Sequence, residues 1–391
     1  MPVAKASVLT TFNTPLRLAE FALPDALEAG AVLVRTEMAG ICGTDVHLWR
    51  GELPIQLPVI LGHETVGRIV QIGPGLDCDW TGQPLRVGDR ITWTSATSCG
   101  ECFYCVTKRQ PTRCPHRRAY GIGYRCDVPP HFLGGYAEFH YLRPRANLFK
   151  LPDTLPTEAV IGAGCALITA IHGVERICIE NGAGLPGAET ASPLVRARMP
   201  VLPELWRDVV VVQGAGPVGI SALAVAKQAG ARKVILIGAP RHRLELARRF
   251  GADETLCLDD LPDAAGRIAA VRERTGGFGA DAVIECVGHP SVIHEGMEMC
   301  RDGGKYLVLG HYCDAGPVSF NPHLITRKQL QVFGSWSSEP RHMKAALDFL
   351  AGTESQFPFA SMVTHRFGIE QAQEALMTTA RWESAKTVLV P

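Results

Sequence analysis

Apolar positions recur with two different periods along the 391 residues. Up to about residue 95 the apolar, β-branched runs are short. Val3–Leu9, Ala31–Glu37 and Thr65–Ile72 are separated by Gly, Pro and Asp, and Val87-Gly88-Asp89-Arg90-Ile91 reads as a turn entering another strand. No 3.6-residue period is sustained there, which predicts an all-β, barrel-like domain. Residues 98–135 are rich in Cys, Gly, Pro and Arg and almost aperiodic. Such a lobe cannot bury a core of its own, and a bound metal is the expected staple. A strand, Ala137–Leu142, and a helix, Thr157–Ile177, come next. Residues 180–207 then hold Gly182, Gly184, Gly187, Pro186, Pro193, Pro200 and Pro203, the composition of a loop. From Asp208 the pattern alternates. Val209–Gln213, Lys233–Ile237, Thr255–Leu258, Ala282–Cys286 and Lys305–Leu309 are apolar strands with helical segments between them, among them one ending near Ala229 and Arg243–Phe250. That grammar predicts βαβ units and a parallel sheet. Helices at His342–Ala351 and Ile369–Thr378 precede a last strand, Ala385–Val390, expected to return to the first domain.

Composition narrows the function. The length suits two domains. Basic and acidic residues balance at 39 each, so no electrostatic footprint for nucleic acid or a membrane surface is present. The longest apolar region, Ala159 to Val174, is interrupted and shorter than a bilayer span, and the start, MPVAKASVLT, lacks the apolar core of a signal peptide. Thirteen cysteines could form a disulfide framework. Their number is odd, though, and their clustering favours metal ligation in a reducing compartment, which makes a cytoplasmic location the expectation.

The chemistry concentrates in three motifs. Cys42-Gly43-Thr44-Asp45 and Gly62-His63-Glu64 bring a thiolate, an imidazole and a carboxylate on glycine-marked turns, the ligand types zinc takes. Cys99, Cys102, Cys105 and Cys114 have the spacing of a closed tetrahedral zinc site; the bland alternative is four buried cysteines of an irregular loop. Gly214-Ala215-Gly216-Pro217-Val218-Gly219 follows a buried strand and opens a helix, the context a dinucleotide fingerprint needs. Gly214 permits the tight turn, Gly216 lets a pyrophosphate approach, and Gly219 lets the helix pack on the strand. A catalytic zinc needs a third protein ligand and an open fourth position. Cys78, Cys126, Cys165 and Cys178 are the candidates outside the nucleotide half. Cys165 stands best among them, just before that half begins, although a core cysteine is the commoner fate of the residue type.

In this order, the CGTD and GHE elements, the cysteine lobe and the Rossmann glycines resemble the zinc-containing medium-chain alcohol dehydrogenase family over the whole chain. The resemblance implies an α/β protein with a GroES-like β-barrel catalytic domain and a Rossmann doubly wound parallel-sheet domain. The first would span residues 1–166, with a structural-zinc lobe at about 98–116. The second would span 167–328, with a Gly/Pro-rich insertion at about 181–203, and residues 329–391 would return to the catalytic domain. It further implies two zinc ions per chain: a catalytic one on Cys42, His63 and Cys165, with Glu64 able to exchange with water or substrate, and a structural one on the lobe. Thr44 and His47 resemble the proton relay, Asp45 the carboxylate that orients the histidine ligand, and Thr169 a residue lining the nicotinamide. The implied activity is alcohol oxidation with NAD(P). Polyol, secondary-alcohol or formaldehyde-adduct oxidation on the same scaffold is the enzymatic alternative, and a non-catalytic zinc- and nucleotide-binding relative the other. A homodimer or homotetramer is the expected assembly. Two departures stand out: eight residues between Cys105 and Cys114, where about seven are usual, and the 181–203 insertion.

Cofactor choice can be read from the end of the second Rossmann strand. An NAD-selective site carries an acid there, and this chain has Gly238, followed by Ala239-Pro240-Arg241. A 2′-phosphate would meet no repulsion, and Arg241 could pair with it. NADP is therefore expected ahead of NAD.

Overall fold

The computed structural model describes residues 2–179 and 209–391, so the 181–203 insertion lies outside the described residues. The chain divides into two units, one made of Met1–Cys165 with Phe359–Pro391 and the other of Ala166–Pro358.

The first unit is built on a seven-stranded sheet. Its order is Leu148–Lys150, Arg90–Trp93, Glu64–Ile72, Val32–Ile41, Lys386–Leu389 and Val363–Phe367, with Phe139–Leu142 also paired to Val32–Ile41. A three-stranded sheet of Arg17–Ala22, Val3–Leu9 and Val59–Ile60 accompanies it. Alternation along these strands sends Val34, Ile41, Ile69 and Ile91 inward, where they pack with Tyr120, Tyr136 and Leu389. The register sets Gly40 opposite Glu64 on one neighbour and Val388 on the other. Strand Val32–Ile41 runs straight into a helix, Gly43–Arg50. Sequence patterning gave only turns here, because eight residues that open on glycine and alternate polar with apolar carry too short a period to register. The strand Val363–Phe367 was also unread.

The helix Thr157–Ile179 crosses the boundary between the units and is interrupted at Gly164, whose φ of 49° and ψ of −150° are not helical. Its Thr157–Ile177 stretch is long and apolar enough to cross a membrane, but 72% of the apolar window is buried inside the protein, which accounts for the composition.

The second unit is a six-stranded parallel sheet ordered Glu254–Cys257, Lys233–Gly238, Val209–Gln213, Ala280–Glu285, Cys300–Val308 and Gln331–Gly334. In chain order that is third, second, first, fourth, fifth, sixth, the Rossmann arrangement, with its switch point between the first and fourth strands. The Val209–Gln213 strand is buried at every position, as a central parallel strand should be. Helices Pro217–Gln228, Arg241–Arg249, Ala264–Arg274 and Ser291–Met299 join successive strands. The sixth strand escaped the sequence reading because only Phe333 of its four residues is buried, leaving no apolar run. Together with the helix Pro340–Thr353 it belongs to this unit, so the chain returns to the first unit at Phe359, later than the expected 329.

Candidate active site

The strand-to-helix junction at Ile41–Gly43 fixes the first group of the site. Cys42 caps the helix, and its N–H donates to Asp45 Oδ2 at 2.8 Å. Asp45 is fully buried, and its other oxygen lies 3.4 Å from His63 Nδ1. With Nδ1 turned to the carboxylate, Nε2 is the nitrogen left for a metal. Gly62 holds the preceding turn at φ 94°, and a Cβ there would come within 2.6 Å of the Tyr136 ring, so only glycine fits.

Cys165 arrives from the interrupted helix. The break at Gly164 turns the Cys165 N–H onto Glu64 Oε1 at 2.9 Å, and a Cβ on Gly164 would lie 2.6 Å from that same oxygen. The Cys42 and Cys165 sulfurs stand 3.6 Å apart, and one ligand atom each from Cys42, His63, Glu64 and Cys165 lie within 4.8 Å of one another. Tetrahedral zinc with bonds of about 2.3 Å needs ligand separations of roughly 3.8 Å, so the set fits that ion.

The site is electrostatically loaded. The hydrogen bond between the two sulfurs holds the Cys42 thiol well below its ordinary pKa and pushes Cys165 up. Burial opposes charge on His63, but Asp45 more than compensates and the imidazole is pushed up. Burial would likewise raise the Glu64 carboxyl; a buried ammonium, Lys386, outweighs it and holds the carboxyl at about 2. Lys386 pairs with Glu64 Oε2, and both side chains are 2% exposed. Gly40 admits the pair: a Cβ there would lie 2.5 Å from Glu64 Oε2 and 3.0 Å from Lys386 Cε. Sequence reasoning missed Lys386. The available signal was a lone lysine inside the apolar run Ala385–Val390, since lysine is almost never buried unpaired.

Thr44 and His47 lie one turn apart on the Gly43–Arg50 helix, on one face. Thr44 is half-buried; His47 is 41% exposed and its Nδ1 pairs with Glu52. Thr169 is half-buried, one turn beyond Cys165.

The lobe gathers the second group. Cys99 and Cys114 sulfurs are 3.5 Å apart, Cys102 and Cys105 3.5 Å, and Cys99 and Cys105 4.0 Å, again within reach of one tetrahedral zinc. None of the four is disulfide-bonded. Eight intervening residues, including a single 3₁₀ turn at Pro111–Arg113, bring Cys114 back to Cys99, so the longer spacing is accommodated.

In the second unit, Gly214 turns at φ 110° and its N–H donates to Ile237 O at 2.8 Å. A Cβ on Gly219 would fall 1.9 Å from Gly214 O, so glycine there seats the helix on the strand, whereas a Cβ on Gly216 would meet nothing within 4 Å. Gly216 caps the helix without a side-chain bond; Pro217 has no N–H and the Ile220 N–H donates to Gly216 O, so the N–H groups of Val218 and Gly219 are the ones an anion can use. A dinucleotide pyrophosphate fits this cradle. Gly238 has a steric reason of its own: a Cβ there would lie 2.7 Å from Ala215 Cβ and 2.8 Å from Ala215 N. Arg241, read from the sequence as a residue that could pair with a 2′-phosphate, is already paired within the chain. It forms a two-pronged ion pair with Asp260 at 2.6 and 3.1 Å, with both side chains more than half exposed.

Comparison with known proteins agrees with this layout. Residues 28–153 match the alcohol dehydrogenase GroES-like domain and residues 217–352 the zinc-binding dehydrogenase family. The chain is 33% identical over 380 residues to a 5-exo-hydroxycamphor dehydrogenase of Pseudomonas putida, covering 96% of this chain and 95% of that one. An alcohol dehydrogenase from Thermotoga maritima superposes with a TM-score of 0.88 at 33% identity, each chain covered in full. A zinc-binding dehydrogenase from Sinorhizobium meliloti 1021, bound to NADP, superposes at 0.81 with 26% identity, again over the full length of both. Similarity of this extent, with both domain types in their expected order, makes the chain a member of the zinc-containing medium-chain dehydrogenase family of oxidoreductases.

Proposed function

We propose that the protein oxidises an alcohol, or reduces the matching carbonyl compound, at the Cys42–His63–Glu64–Cys165 cluster. The observation that carries this reading is the gathering of those four ligand atoms within 4.8 Å, one turn of chain from the Thr44 hydroxyl. Cys42, His63 and Cys165 would hold one zinc, with Glu64 in reserve, and the four lobe cysteines a second. Zinc supplies a Lewis acid for the substrate oxygen, and the nicotinamide supplies or accepts the hydride. Thr44 takes up the substrate's proton, and His47, held at Nδ1 by Glu52, passes it to solvent through its other nitrogen. Asp45 keeps the His63 ring in the orientation a ligand needs. Similarity to a hydroxycamphor dehydrogenase favours a secondary alcohol, with polyols as the second class to try.

NADP is the proposed cofactor. Packing against Ala215 excludes any side chain, acidic or otherwise, at Gly238, and Arg241 can exchange Asp260 for a 2′-phosphate across an exposed pair. The test is reduction of NADP and NAD followed at 340 nm across primary alcohols, secondary alcohols and polyols, with zinc measured on the same preparation. Absence of turnover with every alcohol, in protein carrying two zincs, would sink the dehydrogenase assignment of this site. A preference of about tenfold or more for NAD would sink the NADP reading.

A further inference from the structure

The carboxylate of Glu285 ends the fourth Rossmann strand and is fully buried. Burying a carboxylate is costly unless its charge is met. Among the described residues no lysine or arginine pairs with it; three backbone N–H groups meet the charge instead. Val287 and Gly288 donate to Oε1, each at 2.6 Å, and Gly310 donates to Oε2 at 3.0 Å. The first two belong to the loop leaving the fourth strand and the third to the loop leaving the fifth. One side chain therefore clamps two neighbouring loops at the carboxyl edge of the sheet.

The loops are fitted to each other with no space for side chains. Gly288 sits at φ 76°, and a Cβ on it would lie 2.5 Å from Gly310 O; a Cβ on Gly310 would lie 2.4 Å from Gly288 N. On the other side, a Cβ on Gly214 would come within 3.0 Å of Cys286 O, so the same clamped loop abuts the glycine turn. Packing alone would be served by an apolar residue at a strand end. A buried charge spent on three loop amides beside the switch point needs another reason.

We propose that Glu285 is a positioning residue for the nicotinamide half of the bound dinucleotide. The inference rests on the dinucleotide reading above. In a sheet of this order the first three strands take the adenosine side and the pyrophosphate, and the fourth to sixth strands take the other nucleotide at the carboxyl edge. Glu285 touches only loops of that second half. It acts by fixing the backbone there and does not contact the ligand.

The test uses full-length, zinc-loaded protein and two probes: NADPH, titrated by nicotinamide fluorescence, and 2′-phospho-ADP-ribose, which lacks the nicotinamide, titrated by calorimetry. Glu285→Gln keeps the shape but presents an N–H₂ to one of the donor amides. It should weaken NADPH by about tenfold or more, the scale of one buried donor left unpaired, and leave the fragment within about twofold. Glu285→Asp, too short to span both loops, should show the same split more mildly and carries the test if the glutamine variant does not fold. Equal losses for both probes would make Glu285 merely structural and overturn the proposal, as would no loss for either. If the parent binds neither probe, the same split is read with NADH and ADP-ribose, and only a parent that binds neither pair would sink the dinucleotide reading itself.

Discussion

Replacing Lys386 with methionine isolates the electrostatics of the buried Lys386–Glu64 pair. Methionine keeps most of the aliphatic stem, so no cavity opens, and only the charge facing Glu64 is lost. Two routes give the magnitude. Holding the Glu64 carboxyl at about 2 against an ordinary 4.5 corresponds to roughly 3 kcal/mol, a net figure in which burial opposes Lys386, the leading attraction, and the smaller contributions of His63 and Cys165. Unit charges about 4 Å apart at an effective dielectric of about 20 attract by roughly 4 kcal/mol. Both agree with the ~3–5 kcal/mol seen when one partner of a buried pair is removed. The carboxyl is depressed in the folded protein, so this stabilisation is complete above about pH 4.5 and fades as pH falls toward 2. The assay therefore belongs near pH 7.5: urea unfolding followed by tryptophan emission, which reports chiefly on the first unit because Trp49, Trp80, Trp93 and Trp382 lie there. Lys386→Met should lose about 3–4 kcal/mol. The double variant Lys386→Met/Glu64→Gln, which still accepts the Cys165 N–H, should recover most of it, to within about 1 kcal/mol of the parent. A single-variant loss below about 1 kcal/mol, or a double variant no more stable than the single, would refute the argument.

Four further outcomes are expected. Cys165→Ala should stay folded with about one zinc per chain and no activity, whereas Cys102→Ala should also lose one zinc but destabilise the lobe and lower solubility; metal analysis beside thermal melting separates the two, and full zinc in Cys165→Ala would be the adverse result. Thr44→Ala should cut turnover while both zincs remain, with His47→Gln milder, and an unchanged rate across pH in Thr44→Ala would remove the relay. Burial holds His140 at about 3, with neither ring nitrogen partnered among the described residues and the ring edge-on to Trp93 and Tyr120; stability tied to its neutral form is whole above pH 6.5 and drains away as pH falls toward 3, by about 2 kcal/mol between pH 7 and 5, so His140→Phe should flatten the acid limb of a stability–pH curve. Gly238→Asp should weaken NAD and NADP alike, since its Cβ collides with Ala215, and a gain in NAD affinity at unchanged melting temperature would contradict that.

The readable parts of the molecule were those with short-range grammar. The glycine fingerprint, the buried strands between helices, the CGTD and GHE elements and the lobe cysteines each declare themselves within a few dozen residues; Cys165, 123 positions from Cys42, was one of four candidates until the family resemblance singled it out. Lys386 could not do so, because its partner is 322 positions away and nothing in its own strand names it. The sixth Rossmann strand hid for another reason: an edge strand with three exposed residues has no apolar run to detect. Gly238 carried a true observation, the missing acid, but not its steric cause, because Ala215 approaches it from a loop of the preceding βα turn. The Asp260 partner of Arg241 was invisible for the same reason, being set by how two loops meet.

The order in which the chain is synthesised sets when each cysteine-bearing cluster can be completed. The lobe cysteines span only 15 positions, so that cluster is complete once residue 114 has left the ribosome. The other cluster waits far longer. Ala166–Pro358 is contiguous and can close its core while the earlier segment still lacks Lys386–Leu389, the strand that lies between Val32–Ile41 and Val363–Phe367. Until that strand arrives, the nascent sheet keeps an open edge, and Glu64 has no counter-charge with which to be buried. The unit that is begun first is therefore the unit whose sheet is closed last, and Glu64 gains its buried counter-charge only then.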